Sequence, residues 1–539
     1  MTVMLAADVL HRYGGAAHTI VELVDRRAAV VPQAAAVEFE QRAWTYAQLV
    51  AGRDALAARL AVAGVLPGDR VAHVEVNSDI AVLLFLATTA LGAIFVPMNP
   101  ALTDDDLAYQ LGHCGARLMV SAAGEAARFD ALLATYRLDI ARLALEDLGS
   151  SAPDSAAALA QLQAGAGSAA PSAATLTAET PAVVIYTSGT TGRPKGVLHS
   201  HANYVLSAEA FVGRLDLQPD ERLLTVFPLF HINALFYSLG GALACGGAFI
   251  TARRFSASTF WALAVKTRAT ELNILASLAK ILAVRPRSEF DPRHQIRLIY
   301  GGPITADMFE VYRNDFHVPV LLEGYGMSEI PAAACNPLHG EQKVGSFGLA
   351  GTHPLVDGPF VRMRVCDDTG AELPADSIGE LQVRTPAMFL GYLNDPQQTR
   401  ESFVDGWFRT GDLVRRDAQG YLTFVARQKD IIRRHGENIS GAELDRVVES
   451  HPLVAQAAAI AVPSELGEDE VLIAIVKAPQ ADALTLDDIA AWCRERLAAV
   501  KRPRYLVFVD ALPQTPTQRV AKHVLRKDAT LLARARDMR

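Results

Sequence analysis

Residues 186–196 read YTSGTTGRPKG and follow directly on the apolar run AVVIY (182–186). A β-rich run that stops in a loop of glycines and hydroxyl residues, with a lysine behind it, is the pattern of a strand feeding a phosphate-binding loop. It is not the common nucleotide-hydrolysing loop GxxxxGK[ST]. Counted from Gly189, Pro194 stands where that motif needs its second glycine, and Gly196 where it needs a magnesium-binding hydroxyl. Pro194 also withholds a backbone N–H. What remains is a loop whose Thr187, Ser188, Thr190 and Thr191 hydroxyls and glycine N–H groups can wrap a polyphosphate, with Lys195 as a point charge. Taken alone, the same residues also suit an ordinary polar turn.

Around this loop the chain alternates helix and strand patterns. Residues 44–64 (WTYAQLVAGRDALAARLAVAG) place apolar side chains at helical spacing, and 68–76 (GDRVAHVEV) read as a strand. The alternation predicts βαβ units, an α/β fold and a mostly parallel sheet. Residues 150–180, rich in Ala, Ser and Gly, read as a loose surface connection. From Gly345 to about Val425, short strands punctuated by DDTG (367–370) and DAQG (417–420) predict an antiparallel region, a small β-barrel. Beyond Lys429 a compact α+β unit is expected. Ser440 and Glu443 are spaced as a capping box, and Leu444, Val447 and Val448 supply one apolar helix face.

The chain of 539 residues exceeds what one core usually supports, and its net charge of −8 argues against broad binding of nucleic acid. Five scattered cysteines without a CxxC pair predict reduced thiols in a cytoplasmic protein, not a disulfide frame or a zinc site. The N-terminus lacks the basic start and apolar core of a signal peptide. Residues 80–96 (IAVLLFLATTALGAIFV) are apolar for 17 positions, marginal for a bilayer. Gly92 and Pro97 break that run, so a buried helix entering a buried strand is expected, with no membrane span.

YTSGTTGRPKG closely resembles the signature of the adenylate-forming superfamily of acyl-CoA synthetases, peptide-synthetase adenylation domains and luciferases. Five further matches follow in that family's order: PLFHINAL (228–235), YGGP (300–303), EGYGMSE (323–329), GWFRTGD (406–412) and ARQKDIIRRHGENIS (426–440). The likeness runs from near Thr19 to the C-terminus. It implies a large N-terminal domain, 1–428, of two doubly wound sheets plus the small barrel, and a small mobile α+β domain, 429–539. The implied reaction joins a small carboxylic acid to ATP as an acyl-adenylate and then transfers the acyl group to coenzyme A, with Mg²⁺ assisting.

The resemblance also assigns residues. Thr187, Ser188, Gly189, Thr190, Thr191, Gly192 and Lys195 would hold the β- and γ-phosphates. Tyr325 would lie against adenine, Ser328 would meet the α-phosphate, and Glu329 would hold Mg²⁺. Gly302, Pro303, Gly324, Gly326 and Met327 would complete the nucleotide site. Asp412 would accept the ribose hydroxyls with Arg427 assisting, and His231 would stand beside the acyl carboxylate. Asn233, Phe236, Gly302, Met327 and Ala332 would wall the acyl pocket. Lys429 matches the family hinge. Arg433, Arg434 and His435 would attract the phosphates of coenzyme A, with Gly436 letting the backbone approach its pantetheine.

The chain departs from the family pattern in four places. Ser328 stands for a threonine, Ala426 for a glycine and Gly441 for a proline, none removing a needed polar group. In LPQTPTQRVAKHVLR (512–526), Arg519 occupies the register of the adenylation lysine and Lys522 lies three residues on. On a strand, positions three apart face opposite ways, so only one of the two should serve the site. RRHGENIS and TPTQRV look most like the crotonobetaine and carnitine CoA ligase branch. Three functions stay open: a CoA ligase; an enzyme loading a carrier protein, which usually needs an aspartate absent after Phe230-His231; and a non-catalytic nucleotide-binding homologue, favoured only by Arg519. A luciferase-type oxygenase has no positive sign. Oligomeric state is not fixed by the sequence, with a homodimer among the options.

Overall fold

The computed structural model describes residues 4–166, 175–187, 193–302, 304, 306–434, 437–464, 469–479, 481–515 and 520–539. It divides into two compact units, Met1–Met363 with Val383–Trp407, and Arg364–Gln382 with Phe408–Arg539.

The first unit holds two sheets. In the seven-stranded sheet, Arg70–Val74, Ile94–Met98, Ala116–Ser121, Ala141–Ala144 and Pro181–Thr187 run parallel, and Lys195–Ser200 turns back antiparallel to Pro181–Thr187. In the nine-stranded sheet a parallel block includes Arg222–Thr225, Glu271–Leu275, Leu298–Gly302 and Val320–Tyr325. Helices bridge the parallel strands, as βαβ geometry requires.

The apolar run near residue 80 forms the helix Asp79–Ala90 and the strand Ile94–Met98, joined through Gly92 at φ +70°. Ser78 caps the helix by accepting from the Ala81 N–H. At twelve residues it spans ~18 Å, well short of a bilayer core. Its first residue, Asp79, is fully buried and receives both Arg42 and the Trp44 indole N–H. Among the described residues no helix is long and apolar enough to cross a membrane. Pro97 does not break the run, however; it sits within the strand opposite His73.

The loose connection expected over 150–180 is corrected in part. Residues Ser155–Ala164 form a helix, N-capped by Asp154, with Ala158 and Leu162 fully buried. Alanine has the best helix propensity, so low complexity there marked a helix rather than a tether.

The second unit holds most of a five-stranded sheet, including the antiparallel pair Trp407–Arg416 and Leu422–Arg427. Its turns are those the sequence announced: Asp367 and Asp417 each accept backbone N–H groups two and four residues on, and Gly370 and Gly420 take φ near +90°. Among the described residues the strands pair as an open sheet, without the ring closure of a barrel. Farther on come the hairpin Ile431–Arg434/Glu437–Ser440, the helix Gly441–Glu449 and a four-stranded sheet. Leu444 and Val448 are buried in its core, with Val447 packed against them. Ser440 caps the helix through the Glu443 N–H, but the Glu443 carboxylate binds Lys501, so only half of the capping box forms.

Candidate functional site

The opening stretch starts and ends on two adjacent antiparallel strands. Thr187 faces Lys195 across the pair and Tyr186 faces Gly196. Residues Ser188, Gly189, Thr190, Thr191 and Gly192 lie outside the described residues. Gly196 is tightly packed: a Cβ there would come to 3.0 Å from the Val184 side chain and 3.3 Å from Leu393, so its neighbours would have to give by a few tenths of an ångström. Lys195, at the foot of the hairpin, is half-buried, and its Nζ sits 4.9 Å from the centre of the Tyr392 ring. The Tyr392 hydroxyl donates to Glu329 Oε1 at 2.8 Å. A cation thus lies over an aromatic ring whose hydroxyl edge meets a buried carboxylate. Burial pulls the Lys195 ammonium below its ordinary pKa, and the carboxylates of Glu329, Asp395 and Glu401 oppose that pull. Burial, then the Glu329 charge, holds the Tyr392 phenol well above its usual range.

Glu329 and Ser328 are the central residues of a tight turn in which Ile330 N–H donates to the Met327 carbonyl at 3.1 Å. That turn follows the parallel strand Val320–Tyr325, placing both side chains at a strand's carboxyl end, where α/β folds bind ligands. His199 Nε2 donates to the Ser328 carbonyl at 2.7 Å, and burial lowers this imidazole to about 4, so it is neutral. The Glu329 carbonyl accepts from the Phe389 N–H. Tyr325 stacks on Phe347 with centroids 4.5 Å apart. Gly324 admits no side chain, since a Cβ would lie 2.2 Å from the Tyr300 hydroxyl; at Gly326 the Tyr237 hydroxyl imposes the same limit. Gly302 takes φ +151°, and Pro303 lies outside the described residues.

His231 is half-buried against Phe230; its N–H donates to Pro228 and its carbonyl accepts from Leu235. It sits just ahead of a π-helical stretch, Asn233–Leu239, a distortion common where a fold presents side chains to a ligand. Phe236 and Ala332 expose no surface, which makes them core rather than pocket wall.

Within the second unit, Asp412 and Arg427 are register partners on adjacent strands, and Arg427 Nε lies 2.7 Å from the fully buried Asp412 carboxylate. The Lys429 backbone belongs to a single 3₁₀ turn, Gln428–Asp430, and its side chain lies outside the described residues. Arg433 is exposed, its N–H bonded to Asp469. Arg434 is not available as expected for coenzyme A: it donates to the Val500 and Arg502 carbonyls and pairs with Glu470. His435 and Gly436 lie outside the described residues.

Arg519 also lies outside the described residues. Lys522 is not on a strand, as the spacing argument assumed, but opens the helix Lys522–Lys527. Its Nζ is 2.5 Å from Asp445 Oδ2, while the other Asp445 oxygen accepts the Ala459 N–H. Burial raises the Asp445 pKa, against the pull of Lys522. One turn on, Arg526 pairs with Asp430 beside Lys429.

Two stretches of the chain match descriptions of known families: residues 24–393 match the AMP-binding enzyme family and residues 443–519 its C-terminal domain. The chain belongs to the AMP-binding enzyme family. This AMP-binding enzyme is 31% identical to feruloyl-CoA synthase of an Amycolatopsis species over 93% of its own length and 97% of the relative's. It is equally identical to indoleacetate–CoA ligase of Aromatoleum aromaticum, over 94% and 97%. Among solved structures, ATP-bound MatB from Rhodopseudomonas palustris superposes with a TM-score of 0.81 at 29% identity, covering 94% of this chain and 98% of that one.

Sequence reasoning did not single out Tyr392 in this AMP-binding enzyme. It lies 63 residues beyond Glu329 in a two-residue strand, and the local sequence GYLND reads as a turn.

Proposed function

We propose that this AMP-binding enzyme activates a small carboxylic acid at the α-phosphate of ATP, releases pyrophosphate, and passes the acyl group from the adenylate to the thiol of coenzyme A with release of AMP. The observation that carries the reading is the Lys195–Tyr392–Glu329 assembly at the foot of a glycine- and threonine-rich hairpin, in a chain that matches CoA ligases over 93–94% of its length.

The first half-reaction needs charge neutralisation and alignment more than a base, because the substrate carboxylate is already ionised. Lys195 and the loop residues Thr187 to Gly192 hold the polyphosphate. Tyr325 with Phe347 offers a face for adenine, and Ser328 a hydroxyl for the α-phosphate. His231 stands by the acid, and Asp412 accepts the ribose hydroxyls. Glu329 fits Mg²⁺: it is a buried carboxylate with Tyr392 on one oxygen, and Mg²⁺ bound with a nucleotide typically uses one or two carboxylates plus phosphates. When bound, Mg²⁺ would neutralise phosphate charge. Tyr392 would keep one Glu329 oxygen occupied and leave the other for the ion.

In this reading the adenylation cation is Arg519, by elimination of Lys522. Lys522 compensates a largely buried carboxylate, and withdrawing it would strand that charge. Lys429 is the hinge between 1–428 and 429–539, and Arg433 with Gly436 meets coenzyme A. Coenzyme A is preferred as acceptor over a carrier protein because Phe230-His231-Ile232 lacks the amino-acid-binding aspartate. Two of the relatives named above are named for aromatic acids, and none of them singles out the carnitine branch. A panel beginning with aryl and arylacetic acids, scored for AMP release with coenzyme A and with a carrier-protein thiol, tests the reading. AMP formation with the carrier alone would overturn it.

A further inference from the structure

The helix Asp104–Cys114 grips both ends of the phosphate hairpin from one face. At the entry, His113 Nδ1 lies 2.8 Å from the Tyr186 hydroxyl, which itself donates to the Gln110 carbonyl. At the exit, the Tyr109 hydroxyl donates to the Pro194 carbonyl at 3.2 Å, and the exposed Arg193 guanidinium lies 4.7 Å from the centre of the Tyr109 ring. Tyr109 and His113 are neighbours on the helix surface, four residues apart, with rings 5.4 Å apart. Asn394 donates to the His113 carbonyl, anchoring the last turn of that helix.

A loop rich in glycine gains affinity for phosphate only if its ends are fixed, because ordering it on binding would otherwise cost conformational entropy. Pro194 cannot donate a backbone hydrogen bond, so its carbonyl is the backbone group it offers at the exit. The residue before it, Arg193, carries a charge that would roam in solvent unless something held it. A ring face attracts a guanidinium and leaves its edge N–H groups free for an anion.

We propose that Tyr109 is a positioning residue for the phosphate hairpin: its hydroxyl fixes the loop exit, and its ring parks Arg193 as a second cation for the polyphosphate beside Lys195. The role of Arg193 rests on the ATP-dependent reading above; the clamp itself does not.

The test uses the full chain with Tyr109→Phe, Tyr109→Leu, Arg193→Gln and the double variant Tyr109→Leu/Arg193→Gln. Backbone hydrogen exchange at Arg193, Lys195 and Gly196 in the ligand-free protein reads the clamp. Tyr109→Leu should speed exchange there severalfold, with the thermal midpoint held. In steady-state kinetics it should raise KM for ATP roughly five- to twentyfold, the worth of one hydrogen bond and one cation–π contact, with KM for the acid and coenzyme A unchanged. Tyr109→Phe should fall between, and the double variant should be no worse than Tyr109→Leu. Unchanged exchange at those amides, or equal rises in all three KM values, would overturn the proposal. A wild-type enzyme without ATP–pyrophosphate exchange would refute the activity reading, and hydrogen exchange would still decide the clamp.

Discussion

The residue scale is where chemistry was most legible. Lys195, Ser328 and Glu329 stand out in sequence through their places in the ordered family motifs, since each loop alone also suits a polar turn, and the structure brings Lys195 and Glu329 to one aromatic ring. Tyr392 was illegible because its value lies entirely in a contact through space. Glu329→Gln should cut ATP–pyrophosphate exchange by about 10²–10³, the usual loss for one preorganised electrostatic contact. Tyr392→Phe makes a finer test, since it keeps the ring over Lys195 and removes only the O–H that orients Glu329. A hydrogen bond to a carboxylate contributes roughly 1.5–3 kcal/mol, so exchange should fall at least tenfold at limiting Mg²⁺ and recover in part as Mg²⁺ is raised. Mn²⁺ binding followed by spin resonance, in the presence of a nonhydrolysable nucleotide, should weaken in parallel. A phenylalanine variant with wild-type metal dependence would show that Glu329 is held by other means.

At the scale of elements, periodicity served well and assumptions about connectors served poorly. The helix from Tyr46 and the strand from Arg70 were visible because apolar spacing is a local property. The helix Ser155–Ala164 was hidden by its own composition, since alanine and serine suit a tether and a capped helix equally. The C-terminal motif shows the same limit: whether Arg519 and Lys522 face opposite ways depends on strand geometry, and Lys522 begins a helix. Its pairing with Asp445 leads to a division of labour. Lys522→Met should leave exchange activity largely intact yet destabilise the second unit by about 2–4 kcal/mol, because an uncompensated carboxylate stays behind in a mostly buried place. Adding Asp445→Leu should restore much of the loss. Arg519→Ala should do the reverse, abolishing exchange while sparing thioester formation from supplied adenylate and leaving the thermal midpoint alone. Should Lys522→Met lose exchange as completely as Arg519→Ala, the cation was assigned to the wrong residue.

For the whole molecule, the balance of buried titratable groups in the first unit sets how the fold meets acid. His73, His199 and His201 are all buried, and burial lowers each to about 4 from an ordinary 6.5. His73 lies against Phe95, His199 donates to Ser328, and His201 Nδ1 accepts the Ile20 N–H that starts an N-terminal helix. A group whose folded pKa is depressed contributes stability above its unfolded value and loses it as pH falls toward the folded value. The window is therefore pH 6.5 down to about 4. In it the unfolded chain binds protons that the native chain refuses, at up to about 1.4 kcal/mol per pH unit for each histidine. Glu323 works the other way. Burial raises it to about 7, so the native state takes its proton first and gains stability as pH falls from 7 to 4.5. Fully buried Glu271 is pushed up in the same way, so the two carboxylates offset about two of the three histidines and leave one, roughly 3 kcal/mol by pH 4, a sizeable share of the net stability of a domain. The thermal midpoint should therefore not fall between pH 8 and 7 and should drop between pH 6 and 5, above the range where ordinary carboxylates protonate. His73→Leu keeps the apolar contact with Phe95 and removes one of the three groups, so with the carboxylates still offsetting the other two most of the drop should disappear, while the midpoint at pH 7.5 is unchanged or higher. A midpoint that stays flat from pH 7 to 5, or a His73→Leu profile parallel to wild type, would mean that these imidazoles charge freely in the native state.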